Sequence, residues 1–421
     1  MQNNMKIGVL TFHRSINYGA VTQCYALVSE LKKRFPDDIV EVIDYVPQFR
    51  KDKYDPGLRN YLFASLKGEK GFVYNAKILA SQIRRLLLQP NFLKLTKARY
   101  QAFQNSMKYL PLSEKHYNQN AVDGFRKAIY GKYDVIVVGS DCVWEWTSVP
   151  LPNAYYLCGD FGAHTHKLSL AASAGTDQVS RLNEEEKKLL RKSVSEFSYI
   201  GVRDTSTEYV LKQLEISGLK WHHNCDPTTF LDIALLAPYK DKVQARIKKL
   251  GIPNDKILIG IMGTERYAKI ARQIFEDRAV YIALYVPNRF CDYQLLDLPV
   301  LEWACIFSLF DLTFTTFFHG TMLSLVNQTP VLSFDTLPET EHQITKLREL
   351  YNRLNLHSFY HRDDGNFSAE EMEQIGRIAR MLVEDPPKVQ IAEALQKEAA
   401  TAESFFEHLE MLHCQKDVQK I

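Results

Sequence analysis

The sequence predicts an α/β protein of two Rossmann-like domains facing a cleft, with a helical insertion in the first. Three observations carry this reading. The chain opens on a β-rich run, a loop, a helix-periodic stretch and a second apolar run, the order of a β-loop-α-β unit. A second such series begins after residue 255. At 421 residues the chain is too long for one ordinary core.

The elements follow in order. "KIGVLTF" is the first strand and "HRSINYG" the loop after it. A helix starts just past Gly19, because Val21, Tyr25, Val28 and Leu31 recur at helical spacing. "IVEVIDYV" is the next strand. From about residue 50 to 110 the pattern changes to "FVYNAKILASQIRRLLL" and "FLKLTKARYQAFQNSM", two basic helical stretches broken by Pro90. "YDVIVVGSDCVWEW" resumes the sheet with an unbroken apolar run, as expected of a strand covered on both faces. "HKLSLAASAGTD", "FSYIGVRDTSTEYVLKQL" and "HNCDPTTFLD" give further strand-to-loop junctions, and residues 1–236 form the first domain.

The Lys- and Pro-containing stretch Ala237 to Asp255 marks the boundary. Then "KILIGIMGT" is a strand, "ERYAKIARQIFED" a helix and "AVYIALYVP" a strand. "WACIFSLF" is helical, and "DLTFTTFFHG" leads into helix "TMLSLVNQ" and strand "PVLSF", completing a second domain over residues 237–367. The tail, residues 368–421, is helical and packs back on the domains. Parallel sheets place ligands at the carboxyl ends of their strands, so these junctions should converge on the cleft.

Composition narrows the class. The chain is 46% hydrophobic and 24% charged, with net charge +2. It shows neither a signal-peptide pattern nor an apolar run near the ~20 residues of a membrane span. Seven scattered cysteines (24, 142, 158, 225, 291, 305 and 414) include no CxxC, which fits a reducing compartment. The expected location is the cytoplasm. Charge is uneven, however. Between Arg50 and Lys108 stand 13 Lys or Arg against Asp52, Asp55 and Glu69, an excess of +10 that leaves about −8 for the rest. Amphipathic basic helices of this kind either lie on an anionic membrane surface or form a solvated hairpin over the first domain. No recognised nucleic-acid motif accompanies them.

Candidate residues sit at the junctions. His319 stands between a β-branched, aromatic strand and a helix, with Gly320 permitting a sharp turn. Helix N–H groups near Thr321 to Leu323 would form an anion site, favouring a protonated imidazole that acts as an acid. The alternative is a histidine that merely bonds a backbone carbonyl. Arg203 either grips a carboxylate or phosphate, or pairs with Asp204, which with Thr205 is suited to cap the next helix. Asp141 ends a buried strand and either meets sugar hydroxyls or caps a helix. Trp144 either stacks on a sugar or fills the core. Asp226, before Pro227, reads as a structural turn residue. The loop before the first helix offers His13, Arg14, Asn17, Tyr18 and Gly19. There is no GxGxxG fingerprint and no phosphate-binding P-loop, against a nicotinamide dehydrogenase or P-loop ATPase. His164 with His166, and His222 with His223, lack a third metal ligand at a telling spacing.

Taken together, "KIGVLTFHRSINYGAVTQCYAL", "YDVIVVGSDCVWEW", "SLAASAGT", "GVRDTSTEYVLKQL", "CDPTTFLD" and "TFTTFFHGTMLSLVNQTPVLSF" occur in the order seen in the polysaccharide pyruvyl transferase family, which the chain resembles over roughly residues 5 to 355. The resemblance implies a GT-B-like pair of domains. It also implies transfer of a pyruvyl group from phosphoenolpyruvate to a sugar, either free or lipid-linked, forming a ketal and releasing phosphate without a cofactor. His319 would be the general acid, and Arg203 would hold donor phosphate or carboxylate with Gly320 and Thr321. Asp141, with Trp144, Asn17, Tyr18 and Gly19, would face the acceptor. Some family members carry an Arg two residues before the histidine and a Lys about twenty after it; here those places hold Phe317 and Glu339. Lys346 and Arg348 are candidates to replace that lysine, and Cys142 stands where the family's usual Gln follows "GSD". A nucleotide-sugar glycosyltransferase on the same scaffold and a catalytically idle sugar-binding relative are the competing readings.

Overall fold

The computed structural model describes residues 4–47, 57–63, 71–147 and 151–418. The expected insertion's residues 50–56 and 64–70, and residues 419–421 of the tail, lie outside them.

Two six-stranded parallel sheets organise the chain. The first contains β1 (Lys6–Leu10), β2 (Ile39–Val42), β3 (Val135–Val138), β4 (His166–Ala172), β5 (Tyr199–Val202) and β6 (His222–His223), in the order β2-β1-β3-β4-β5-β6. The second contains β7 (Ile257–Met262), β8 (Ala279–Ala283), β9 (Tyr293–Gln294), β10 (Leu312–Thr315), β11 (Val331–Asp335) and β12 (Tyr360–Arg362), in the order β12-β11-β10-β7-β8-β9. Strands β3, β10 and β11 are buried along their whole length, as the unbroken apolar run of β3 leads one to expect for that strand.

Each sheet reverses its strand order once, between β1 and β3 and between β7 and β10. Such switch points open a crevice at the carboxyl ends of the flanking strands. Asp141 follows β3 at the first, and His319 follows β10 at the second. The two sheets share packing: one apolar cluster includes Ile7 and Leu27 from the first, and Trp303 and Leu323 from the second. Tyr18 meets Trp303 edge to face with ring centres 5.2 Å apart.

The stretch that marks the expected domain boundary contains a helix, Ala237–Lys248. One helix start differs from expectation. The helix after β1 is Tyr18–Arg34, two residues earlier than a start just past Gly19, because the Asn17 side chain accepts from the Gly19 N–H and caps it. In the insertion, helices Leu58–Phe63, Gly71–Leu88 and Phe92–Asn105 are described, and only the last has buried side chains. Its Phe103 stacks on Tyr18. In the tail, Ala369–Glu384 packs on the second sheet's core through Ile375 and Ala379. Glu403–Val418 crosses to the first, with Glu403 on Arg34 and Lys416 on Asp134.

Candidate active site

Asn17, Asp141, Arg203, His319 and Lys346 line one cleft of about 280 Å³, though they come from five separate segments. The strand ends explain the convergence. Asp141 leaves β3 with a φ of 78°, in a region that side chains disfavour. Its carbonyl accepts from the Ser173 N–H and its carboxylate from the Cys142 N–H, which hold that bend in place.

Arg203 follows β5 and is 3% exposed. Its partner is not Asp204, which instead caps helix Thr205–Gln213 by accepting from the Thr207 N–H. The guanidinium donates through Nη1 to Asp226 at 2.6 Å, and Nη2 lies 3.9 Å from Asp141. Asp226 thus does more than shape a turn, although it also accepts from the Thr228 N–H and hydroxyl. The Phe318 ring lies against the guanidinium, 5.1 Å from its centre. Arg203 Nε is buried and has no protein partner.

His319 is the second residue of helix Phe318–Val326 rather than part of a preceding turn. The Thr321 N–H already bonds Phe317 O, so the unpaired amides of this end are those of the first helical residues, earlier than expected. The Thr321 side chain bonds Ser333 at 2.6 Å in the core, which removes it as a donor ligand. Gly320 fits tightly: a Cβ there would meet Thr315 Oγ1 at 2.4 Å. His319 is 8% exposed, and its Nδ1 has no partner. Burial lowers its pKa; Asp226 and Asp141 oppose that, and Arg203 and Lys346 reinforce it. The free cleft therefore favours a neutral ring, the opposite of the protonated imidazole expected from its position alone.

Gly19 touches the same ring from the other domain. A Cβ there would stand 2.0 Å from His319 Cγ and Cδ2, so only glycine lets the first helix approach this closely. Gly19→Ala should push the imidazole aside, at about 1–3 kcal/mol of stability by overpacking. Chemical denaturation and turnover, measured together, should both fall; unchanged turnover would show that the ring's position is immaterial.

Several expected residues lie elsewhere. Trp144 is 1% exposed, stacks on Tyr156 and donates to Tyr155 O, so it offers no face to a sugar. Tyr18 is buried against Trp303 and donates to Arg99 O. Arg348 points away and pairs with Glu339 at 2.6 Å. Glu339 also accepts from the Thr345 N–H, at the start of helix Lys346–Leu354. Of these two candidates only Lys346 lines the cleft, beside Arg203, with Nζ 2.6 Å from Cys142 Sγ. His13 and Arg14 are both tied to Asp44.

Sequence reasoning missed Met262, Tyr285 and Phe318 as cleft walls. Phe317 joins them, its ring meeting that of Tyr285 at 5.3 Å. Among the described residues no group of three His, Cys, Asp or Glu is placed to hold a metal ion.

The fold is similar to that of a UDP-GlcNAc 2-epimerase from Neisseria meningitidis bound to UDP-GlcNAc, at 11% identity over 96% of this chain and 99% of that one, with TM-score 0.50. A putative UDP-N-acetylglucosamine 2-epimerase from Listeria monocytogenes follows at 12% identity, 97% of each chain and TM-score 0.49. The E. coli heptosyltransferase WaaC with ADP-2-deoxy-2-fluoro heptose gives 10% identity, 90% of this chain and 99% of that one, and TM-score 0.38. The first of these likenesses concerns the GT-B-like fold alone and carries no chemistry. No curated protein matches the chain in sequence. The family model described as polysaccharide pyruvyl transferase matches residues 17–338, a span that includes Asn17, Asp141, Arg203 and His319. With most of its length matched, the chain belongs to the polysaccharide pyruvyl transferase family.

Proposed function

We propose that this cleft transfers the pyruvyl group of phosphoenolpyruvate to two hydroxyls of a sugar in a surface polysaccharide or its precursor. The observation that carries the reading is a buried histidine with a free ring nitrogen, beside two cations, in one cleft. Phosphoenolpyruvate is an anion whose methylene carbon must gain a proton. Arg203 and Lys346 supply positive charge for its phosphate and carboxylate. With that anion bound, the carboxylates' pull on His319 is joined by the donor's own charge, which raises its pKa and readies it to act as an acid.

The reaction balances as follows. His319 gives a proton to the methylene carbon, which becomes a methyl group, and a sugar hydroxyl adds to the adjacent carbon. That hydroxyl's proton restores His319. The carbon–oxygen bond to phosphate then breaks, the second hydroxyl adds, and its proton leaves with the phosphate. Asp141, which lines the cleft, would accept from a sugar hydroxyl.

The test is phosphate release. Purified protein given phosphoenolpyruvate should release phosphate only with an acceptor sugar present, and the sugar should gain a ketal visible by mass and NMR. Release of a nucleoside diphosphate from a sugar nucleotide, with nothing from phosphoenolpyruvate, would overturn the proposal in favour of a glycosyltransferase.

A further inference from the structure

Helix Gly71–Leu88 is 18 residues long and contains no buried side chain. Its inner face still has a structural reason. Gln82 donates to Tyr61 O, and the Arg85 guanidinium lies 5.0 Å from the Phe92 ring centre, so the helix rests on its two neighbours. The outer face does not fit water. At about 100° per residue, Phe72, Ala76, Ala80, Ile83 and Leu87 fall within one sector of roughly 80°. Phe72 is 87% exposed and Leu87 76%. Val73 extends the stripe, and Lys77 and Arg84 flank it on one side. Leu58 and Phe63, on the neighbouring short helix, are exposed as well.

Charge narrows what covers this stripe. Helices Leu58–Phe63, Gly71–Leu88 and Phe92–Asn105 contain no Asp or Glu, but carry Arg59, Lys77, Arg84, Arg85, Lys94, Lys97 and Arg99. A second copy of the chain in a two-fold contact would set this basic face against itself. An apolar stripe edged by Lys and Arg is instead the design of a helix lying in an anionic lipid interface. The helix is not a span: no helix among the described residues is long and apolar enough to cross a membrane.

We propose that Gly71–Leu88 docks the protein on an anionic lipid surface, with the apolar stripe in the acyl boundary and Lys77 and Arg84 at the headgroups. The hairpin is fastened to the cleft. Arg99 donates to Tyr285 O at 2.6 Å and stacks on its ring, and Tyr285 is a cleft wall. Docking therefore ties the cleft rim to the bilayer, where a lipid-linked sugar would be found; only this consequence rests on the proposed reaction.

The experiment is co-sedimentation of the full chain with vesicles. Phosphatidylcholine vesicles containing phosphatidylglycerol should bind it, pure phosphatidylcholine should bind far less, and added salt should release it. Phe72→Ser/Leu87→Ser and Lys77→Glu/Arg84→Glu should each weaken binding by about 10-fold or more, with unchanged melting, because these side chains support no core. Absence of vesicle binding, or binding that survives both double substitutions, overturns the proposal. A concentration-dependent dimer that Phe72→Ser/Leu87→Ser dissolves, without vesicle binding, also overturns it and assigns the face to a second copy. Turnover of phosphoenolpyruvate on a soluble acceptor should not change in these variants, so docking and the reaction fail separately.

Discussion

His319→Ala should lower turnover by about 10²–10⁴-fold, the usual scale for a positioned acid, while the protein stays folded. The folding part follows from the contacts. His319 Nδ1 has no partner, and the ring lies against Gly19 and the cleft rather than deep in either sheet's core. The kinetic part is best read against pH. In the free cleft burial lowers the pKa of His319 below its ordinary 6.5, and a bound anionic donor should raise it again. An acid works only while protonated, so activity should decline as pH rises through that pKa. The decline in kcat/KM, which reports the free enzyme, should come at lower pH than the decline in kcat. His319→Ala should lose both. A profile unchanged by the substitution would end the general-acid role, whatever the size of the rate loss.

The parts of this picture that the sequence displays are those with a local cause. Strand β3 is an unbroken apolar run because both its faces are covered, and that reads directly from the sequence. His319 stands out because it interrupts such a pattern beside a glycine. What the sequence hides is partnership across distance. Arg203 and Asp204 are adjacent, yet β5 ends so that the arginine turns to Asp226 while Asp204 stays to cap its own helix. Trp144 and Tyr18 follow the same grammar as cleft residues, since an aromatic just past a strand end suits a core or a ligand equally. Lys346 and Arg348 are two residues apart on a helix and so face different ways; one enters the cleft and the other meets Glu339. Phe317 is an apolar wall of the cleft, and Lys346, not Arg348, is the one of the two expected cations that lines it.

The Arg203–Asp226 pair should produce the largest stability effect. Both side chains are nearly inaccessible, at 3% and 1% exposure, with Nη1 and Oδ2 2.6 Å apart. Asp226→Ala leaves a buried guanidinium with its main partner gone and also removes the acceptor for the Thr228 N–H and hydroxyl. Breaking such a pair typically costs about 3–5 kcal/mol, more than the pair itself contributes, because the surviving charge stays desolvated. Chemical denaturation should show a loss of that size. Acid titration gives an independent reading. Burial raises the pKa of Asp226, but His319 and Arg203 outweigh it and bring it to about 2. Its contribution is therefore present above the ordinary carboxylate range and lost as pH falls towards about 2, a feature the variant should lack. Arg203→Met/Asp226→Ala decides between charge and packing. If the lone buried cation is the cause, the double variant should be more stable than Asp226→Ala alone, although without the arginine it should bind the donor poorly. If it is less stable still, the pair serves mainly as packing, and the lone desolvated cation is not the cause of the loss.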